Sequence, residues 1–395
     1  MVSKIKSSSE KNNDRDAIFG VGRHALNLLN NGEWDFHNED TQQHLHSLHP
    51  YPARFIPQIP RKAILLWSAP GDIILDPFCG CGTSILESSL LGRSSVGIDN
   101  NPVAVLVTKA KTAKYRNQDL KTLEKFLIHL DALLKTKSNE SIFPDYENFD
   151  YWFSLTAKGD LGRLKCVINQ LSGSPKLLAL AVFSSIIVRA SYQHSDTRYV
   201  RVSKIYTKGD AFRWFKAKLT ASIESVREII GSSRADSKVF CSDSRRMNMI
   251  RDNHVQMIVT SPPYINAYDY HKYHRHRMHW IDGDVNFARV TEIGKHDTFT
   301  RTNADAGKYF DDMLLCFVEW ERILKNKGYV FIVVGDGIVN GSPVKVGEGF
   351  INLAQKTGFK LKKRWVRELQ KNKKSFNQKA RISKEHVLLF QKKVK

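Results

Sequence analysis

The chain has 395 residues, 42% of them hydrophobic, enough to bury one large core or two modest ones. Lys and Arg number 61 against 40 acidic residues, a formal charge of +21, which points to a polyanionic partner, nucleic acid ahead of an anionic membrane. The five cysteines (Cys79, Cys81, Cys166, Cys241 and Cys316) show no metal spacing beyond one Cys-x-Cys and argue against a secreted, disulfide-built fold.

Met1 to Arg15 is rich in Ser, Lys and Asn without an apolar stretch. It reads as flexible chain and not as a secretion signal, so a cytoplasmic protein with a flexible lead over residues 1–45 is expected. His49-Pro50-Tyr51-Pro52-Ala53-Arg54-Phe55-Ile56-Pro57 is extended, because its prolines fix φ and remove donors. A helix is expected over Pro60 to Trp67.

Asp72-Ile73-Ile74-Leu75-Asp76-Pro77-Phe78-Cys79-Gly80-Cys81-Gly82-Thr83 reads as a buried strand ending in a glycine turn, with a helix from Ser84 to Leu91. Strand, glycine turn and helix open a nucleotide site in which the backbone approaches its ligand closely. Gly-x-Gly without the third glycine disfavours a dinucleotide. A second strand, Ser95 to Asp99, ends in an acid 23 residues after Asp76, placed to accept both hydroxyls of a ribose.

Helical periodicity takes over between Lys114 and Ser237, with helices expected over Leu120–Leu134, Leu161–Leu171, Leu177–Ala190 and Phe212–Ile230. This makes residues 114–237 a helical insertion in an α/β domain formed by residues 46–113 and 238–395. The apolar run Leu177 to Val188, fenced by Lys176 and Arg189, is too short to span a bilayer and reads as a buried helix. Arg198 to Lys204 mixes charge with Tyr199, as either a phosphate-contacting strand or a solvated surface would.

The α/β pattern resumes at Lys238 to Asp243, a strand ending in an acid. The next strand runs through Ile258-Val259-Thr260 into Ser261-Pro262-Pro263-Tyr264. Two prolines stop it abruptly and leave a rigid corner presenting Ser261 and Tyr264, a hydroxyl and a flat ring suited to a planar amino-bearing base. Residues 265–303 carry His271, His274, His276 and His279 among Tyr268, Tyr270, Tyr273 and Trp280. The spacing invites zinc, but Lys272, Arg275 and Arg277 would repel a cation, so a mobile substrate-facing loop and no metal are expected. A helix over Tyr309–Leu324 leads through Asn326-Lys327-Gly328 to a strand at Tyr329–Val334. From Gln355 onward 15 Lys/Arg face only Glu368 and Glu385, yet Trp365, Phe376 and the strands Phe359–Leu369 and His386–Phe390 mark this end as folded.

The Asp76–Thr83 turn, Asp99, Asp243 and Thr260-Ser261-Pro262-Pro263-Tyr264 together resemble the amino-methyltransferases of DNA. The pieces cover most of the chain, and the first and last on consecutive α/β units are highly specific. The resemblance implies a Rossmann-like class I methyltransferase fold with a mixed, mostly parallel seven-stranded sheet and helices on both faces. It implies S-adenosyl-L-methionine as cofactor, its amino-acid end at Phe78, Gly80, Gly82 and Thr83 beside Asp76, its ribose on Asp99 and its adenine amino group on Asp243. His49 to Pro57, with Tyr51 and Phe55, resembles a segment that closes over the cofactor. Ser261, Pro262, Pro263 and Tyr264 would be catalytic: acceptors at Ser261 Oγ and the Pro262 carbonyl hold an exocyclic amino group while Tyr264 stacks on the flipped base. Cys81 stands where Ser or Gly is usual, small enough to keep the turn. The implied activity is methylation of cytosine N4 in double-stranded DNA, with N6 of adenine as the alternative. Either the insertion or the loop after Tyr264 would recognise the target, and a cognate restriction endonuclease would be the partner. An RNA guanine-N2 methyltransferase is disfavoured by the roughly 70 residues before the cofactor turn, and an inactive DNA-binding subunit by the three intact acids. Recognition sequence and oligomeric state are not implied.

Overall fold

Seven strands form one sheet: β1 (Ile73–Asp76), β2 (Ser94–Asp99), β3 (Ser237–Cys241), β4 (Val255–Thr260), β5 (Leu324–Gly335), β6 (Phe359–Glu368) and β7 (Lys384–Lys392). The structure, a computed structural model, describes residues 34–37, 39–135, 140–368 and 384–394. The spatial order is β3-β2-β1-β4-β5-β7-β6. Neighbours from β3 to β5 are parallel, and β7 runs against both β5 and β6. This is the expected mixed, mostly parallel seven-stranded sheet of a Rossmann-like methyltransferase fold.

The helices are α1 (Gln58–Trp67), α2 (Thr83–Leu90), α3 (Pro102–Thr112), α4 (Asn117–Lys135), α5 (Leu155–Asn169), α6 (Gly173–Ala190), α7 (Asp210–Ile229), α8 (Gly307–Ile323) and α9 (Val346–Lys356). Successive strand residues point to opposite faces, so Leu75, Ile258, Val330 and Ile332 pack with α8 and α9 while Ile74, Met257, Val259 and Phe331 pack with α1. Burial on both faces explains why these strands read as unbroken apolar runs. Helix α3 was not anticipated, although its start is legible: the Asn101 side chain accepts the Val103 N–H at 2.9 Å and Pro102 fills the first turn.

Three expectations are corrected. The flexible lead does not extend to residue 45. Trp34 is 4% exposed, stacked with Trp67 at 6.1 Å and close to Phe331 and Trp365, and Gln58 donates to the Asp40 carbonyl. Residues 1–33 and the tail positions 369–383, which include Phe376, lie outside the described residues. Residues 265–303 are not a loose loop. They form short helices at Tyr270–Tyr273, Arg275–Trp280, Val285–Thr291 and His296–Arg301, with Met278, Trp280 and Phe299 buried. The histidines are packing groups: His276 lies among Trp152, Phe153 and Tyr199, and His279 stacks on Tyr146 at 3.8 Å. Burial pushes His276 down to about 3 and His279 to about 4, which keeps both rings neutral. Lastly, β5 starts directly from α8, so the expected turn at residues 326–328 is an irregularity within the strand.

The insertion shares its core with the sheet domain. Leu86 of α2 and Val103 and Val107 of α3 belong to one apolar cluster with Leu123, Leu164, Phe183 and Phe215. Helix α6 is long and apolar enough to cross a membrane by length and composition, yet 61% of its 18 residues are buried, packed against α3, α5 and α7.

Candidate active site at the sheet's switch point

The chain builds outward from β1 to β2 and β3 and then returns to place β4 on the other side of β1. An open α/β sheet binds ligands outside the carboxyl ends of its strands at such a reversal. Here β1 ends at Asp76 and β4 at Thr260, 184 residues later, and Thr260 Oγ1 donates to Asp76 Oδ1 at 2.7 Å. The Phe78 N–H donates to the same oxygen at 3.1 Å. Burial pushes the Asp76 carboxyl up to about 6, and these donors restrain the rise. Asp76 is 3% exposed and lies beneath the cleft, fastening the glycine turn to the edge that carries Ser261.

Gly80 and Gly82 take φ of +49° and +77° in that turn. A Cβ on Gly82 would meet Thr108 of α3 at 2.6 Å, so the turn and α3 approach this closely only through glycine. Thr108 Oγ1 in return donates to the Gly80 carbonyl at 3.0 Å. Thr83, 4% exposed, opens α2 below the turn.

Asp99 closes β2 with its carboxylate over the turn. Oδ2 accepts the Gly80 N–H at 2.8 Å and Oδ1 the Asn101 N–H at 2.9 Å. Desolvation nevertheless pushes this carboxyl up to about 7, and the half-buried side chain faces the cleft, where further donors can reach it. Asp243 stands across the cleft after β3. Arg245 grips it through Nε and Nη2, the latter at 2.7 Å from Oδ2, while its Nη1 reaches Asp312 at 2.6 Å. The Arg245 N–H also donates to Asp243 Oδ1 at 2.9 Å, so the carboxylate is held in one orientation.

Tyr51, Phe78, Gly80, Asp99, Asp243, Ser261 and Pro263 line one cleft of about 670 Å³, part of it open to solvent. These are the sequence-selected residues brought together. Gly82, Thr83 and Asp76 support the floor without lining it. Pro262 is buried in the corner, and no described donor bonds its carbonyl, whereas the Pro263 carbonyl is taken by Tyr309 Oη at 2.9 Å. Phe55 is placed elsewhere, against the core on the α1 face. Tyr264 is not among the lining residues. Its hydroxyl donates to Glu385 Oε1 at 2.7 Å, and Glu385 in turn pairs with Arg367 at 2.7 Å, so the start of β7 fixes the ring.

Sequence reasoning missed Asn100, Ser244, Tyr270, Thr291, Glu292 and Ile293, all of which line the cleft. The Glu292 carboxylate accepts the N–H groups of Tyr270 and His271 at 2.7 and 3.0 Å and pairs with His271 Nδ1 at 2.6 Å. Asn100 Nδ2 donates to Thr291 Oγ1 at 3.0 Å, tying this roof to the tip of β2. Tyr51 completes it, near-parallel to His274 at 4.7 Å and to Tyr270 at 6.3 Å. Tyr270, Thr291, Glu292 and Ile293 fall in the stretch expected to face substrate, although none of them was singled out as a site residue, and Asn100 adjoins the strand-end acid. Among the described residues no three His, Cys, Asp or Glu converge to hold a metal ion.

The cleft thus offers a glycine cradle, a half-buried acid facing it, a second oriented acid, and a hydroxyl on a rigid edge. That donor set fits a ribose-bearing ligand with a cationic end beside an amino-bearing base. A family described as DNA methylase matches residues 3–110 and 255–395, omitting the whole insertion. The Type II methyltransferase M.MjaII of Methanocaldococcus jannaschii is 28% identical over 222 residues, 52% of this chain and 40% of that protein. M.MvaI of Kocuria varians is 25% identical over 278 residues, 64% of this chain and 61% of that protein. The chain thus spans about half the length of these curated relatives. Among solved structures, a SAM-dependent methyltransferase from Methanosarcina mazei aligns over 88% of this chain and 100% of its own at 11% identity, with a TM-score of 0.35.

Proposed function

The chain belongs to the DNA methylase family, and on that premise we propose that it transfers the methyl group of S-adenosylmethionine to the exocyclic N4 of a cytosine flipped out of double-stranded DNA. The observation that carries this reading is the presence of Ser261 in the same cleft as Asp99 and Gly80. It brings an acceptor for an amino group within one ligand's reach of a nucleoside site. Asp99 takes the ribose hydroxyls as further donors to its half-buried carboxylate, Asp243 takes the adenine amino group, and the Gly80–Gly82 turn cradles the amino-acid end. When bound, the cofactor supplies an electrophilic methyl group.

The protein's own contribution is orientation. An exocyclic amino nitrogen is a poor nucleophile because its lone pair is delocalised into the ring. Ser261 Oγ and the Pro262 carbonyl accept its hydrogens out of the ring plane, which localises that lone pair toward the methyl. The rigid Pro262-Pro263 corner, held by Tyr309 Oη, keeps the two acceptors in place. Tyr264, fixed by Glu385 and outside the lining of the cleft, is the ring on which the flipped base would stack in this reading. Ser261 supports cytosine because a short hydroxyl suits an amino group seated close to the corner, where a longer side chain would suit one held farther out.

Mass spectrometry of nucleosides from DNA methylated by the protein tests the assignment. N4-methylcytosine is expected. N6-methyladenine would replace the base assignment and leave the enzyme class standing, and unmodified DNA would overturn both. A cognate restriction endonuclease is the partner this reading names, and it should fail to cut DNA so modified.

A further inference from the structure

A second, larger groove lies on the far side of the Tyr51–Pro52 wall, with about 1070 Å³ of space that includes open solvent. One side is the segment from Gln42 to Arg54. The other is supplied by the insertion through α6, α7 and the turn at Asp196 and Thr197. Its charge is one-sided. Arg54, Arg189 and Lys218 line it, and among the described residues none of the three has a carboxylate partner. The nearby acids are already committed: Asp196 is paired with the fully buried Arg277, and Glu87 with His46 and Arg61.

The three cations are held in place. Arg54 Nη1 donates to the His46 carbonyl and Lys218 Nζ to the Ser47 carbonyl, both at 2.6 Å, and each keeps further N–H donors. The Arg189 guanidinium lies 4.0 Å from the centroid of the Trp214 ring, a stack that leaves its donor edges open. Burial, followed by the charges of Arg54 and Lys111, pushes the Lys218 ammonium down. The groove therefore concentrates positive charge: its lining carboxylate, Asp196, is already paired with Arg277, and a polyanion would relieve the repulsion among Arg54, Arg189 and Lys218.

We propose that this groove binds the phosphodiester backbone of DNA beside the flipped nucleotide, with Arg54, Arg189 and Lys218 as phosphate contacts and Trp214 as the platform that orients Arg189. Tyr51 and Pro52 line both the groove and the candidate active site, so backbone held on one side of the wall leads directly to the other. The proposal rests on the DNA-methylating reading above and assigns DNA contact to the insertion, which lies wholly outside the family match.

Anisotropy of a fluorescein-labelled duplex of mixed sequence, titrated over a range of salt, tests it. Nonspecific binding reports phosphate neutralisation directly, so no recognition sequence is needed. Replacing both Arg189 and Lys218 with Gln should weaken binding about tenfold or more at moderate salt and reduce the log–log salt slope by roughly 1.8, about 0.9 for each phosphate no longer neutralised. Cofactor binding by calorimetry should stay unchanged. Because Lys218 also anchors the Ser47 carbonyl, Arg189→Gln alone serves as the second variant, with the slope reduced by roughly 0.9. Lys325→Gln with Lys360→Gln removes the same charge at the opposite end of the sheet, from exposed positions, and should leave the slope intact. Equal reductions in the groove and control variants, or none in folded groove variants, would overturn the groove while DNA methylation by the wild type still stood. Absence of DNA binding by the wild type would overturn both.

Discussion

Asp99 is a carboxylate placed where ionisation is costly, and that cost makes its role measurable. Its pKa near 7 comes from burial, offset in part by the Gly80 and Asn101 N–H groups. Ribose hydroxyls donate to the ionised form and so bind it preferentially. Below pH 7 the free protein must release a proton to bind, and cofactor affinity should fall by up to about tenfold per pH unit, levelling off above about pH 8. Calorimetry in buffers of different ionisation enthalpy would show that release, and a flat profile between about pH 5.5 and 8.5 would remove the ribose role. In the same assay Asp99→Ala should weaken binding by about 1.5–3 kcal/mol, the scale of hydrogen bonds to a charged group. Ser261 behaves differently in the proposed reaction, because its contact matters at the transition state. Ser261→Ala should lower kcat and kcat/KM strongly together while cofactor affinity holds, and a rise in KM alone would show that Ser261 only binds the substrate.

At the scale of elements, the glycine turn after β1 and the proline corner after β4 are one construction, joined by Thr260 Oγ1 and Asp76. Thr260→Val keeps the shape of the side chain and removes the donor, leaving a buried carboxylate with fewer partners, at a cost of about 1–3 kcal/mol. The sign of its pH dependence follows from Asp76. Its folded-state pKa of about 6 lies above the ordinary 3.8, so its contribution to stability is full below about pH 4 and is lost as pH rises through 6. Removing the donor raises that pKa further. Urea denaturation should therefore show a larger destabilisation for Thr260→Val at pH 8 than at pH 4, and equal effects would show that the bond does not serve the ionised form. This junction was only half legible. The two motifs announced themselves by residue type, but the bond between them depends on β4 returning to the side of β1, which no local pattern encodes. The four-histidine stretch shows the opposite failure. It read as a mobile substrate-facing loop, whereas it folds into short helices whose rings fill the space between the insertion and the cleft, and desolvation keeps His274 and His276 neutral.

For the whole molecule, the insertion is a structural necessity as well as a candidate contact surface. Val103, Val107 and Ala110 of α3 are fully buried, and the cluster that covers them is built largely from α4 to α7. Replacing residues 114–237 with a short linker would expose that face of α3, whose other contacts hold the glycine turn through Thr108. Each uncovered aliphatic side chain forfeits about 1.5–3 kcal/mol of burial, so a few exceed the stability of a typical domain. The shortened chain should be aggregation-prone and show no cooperative melt by circular dichroism. A soluble, cooperatively folding product would show that the sheet domain stands without the insertion.

The sequence by itself determined the strands, the glycine turn, the strand-end acids and the proline corner, because each depends on local rules: unbroken apolar runs for buried strands, a left-handed φ that favours glycine at Gly82, and missing donors at Pro262 and Pro263. It likewise placed β6 and β7 at the end of the sheet. Only the tertiary structure decided that Asp76 faces Thr260 and not the cleft, that Tyr264 is fixed by Glu385, that Phe55 packs on the opposite face, and that Tyr270 and Glu292 roof the site. All of these depend on segments meeting across long stretches of chain, where the choice of neighbour follows from strand order and the shape of the packed core. The basic groove belongs with them, since Arg54, Arg189 and Lys218 are ordinary surface residues in sequence and a concentrated charge only once α6 and α7 fold back against the segment before the cofactor turn.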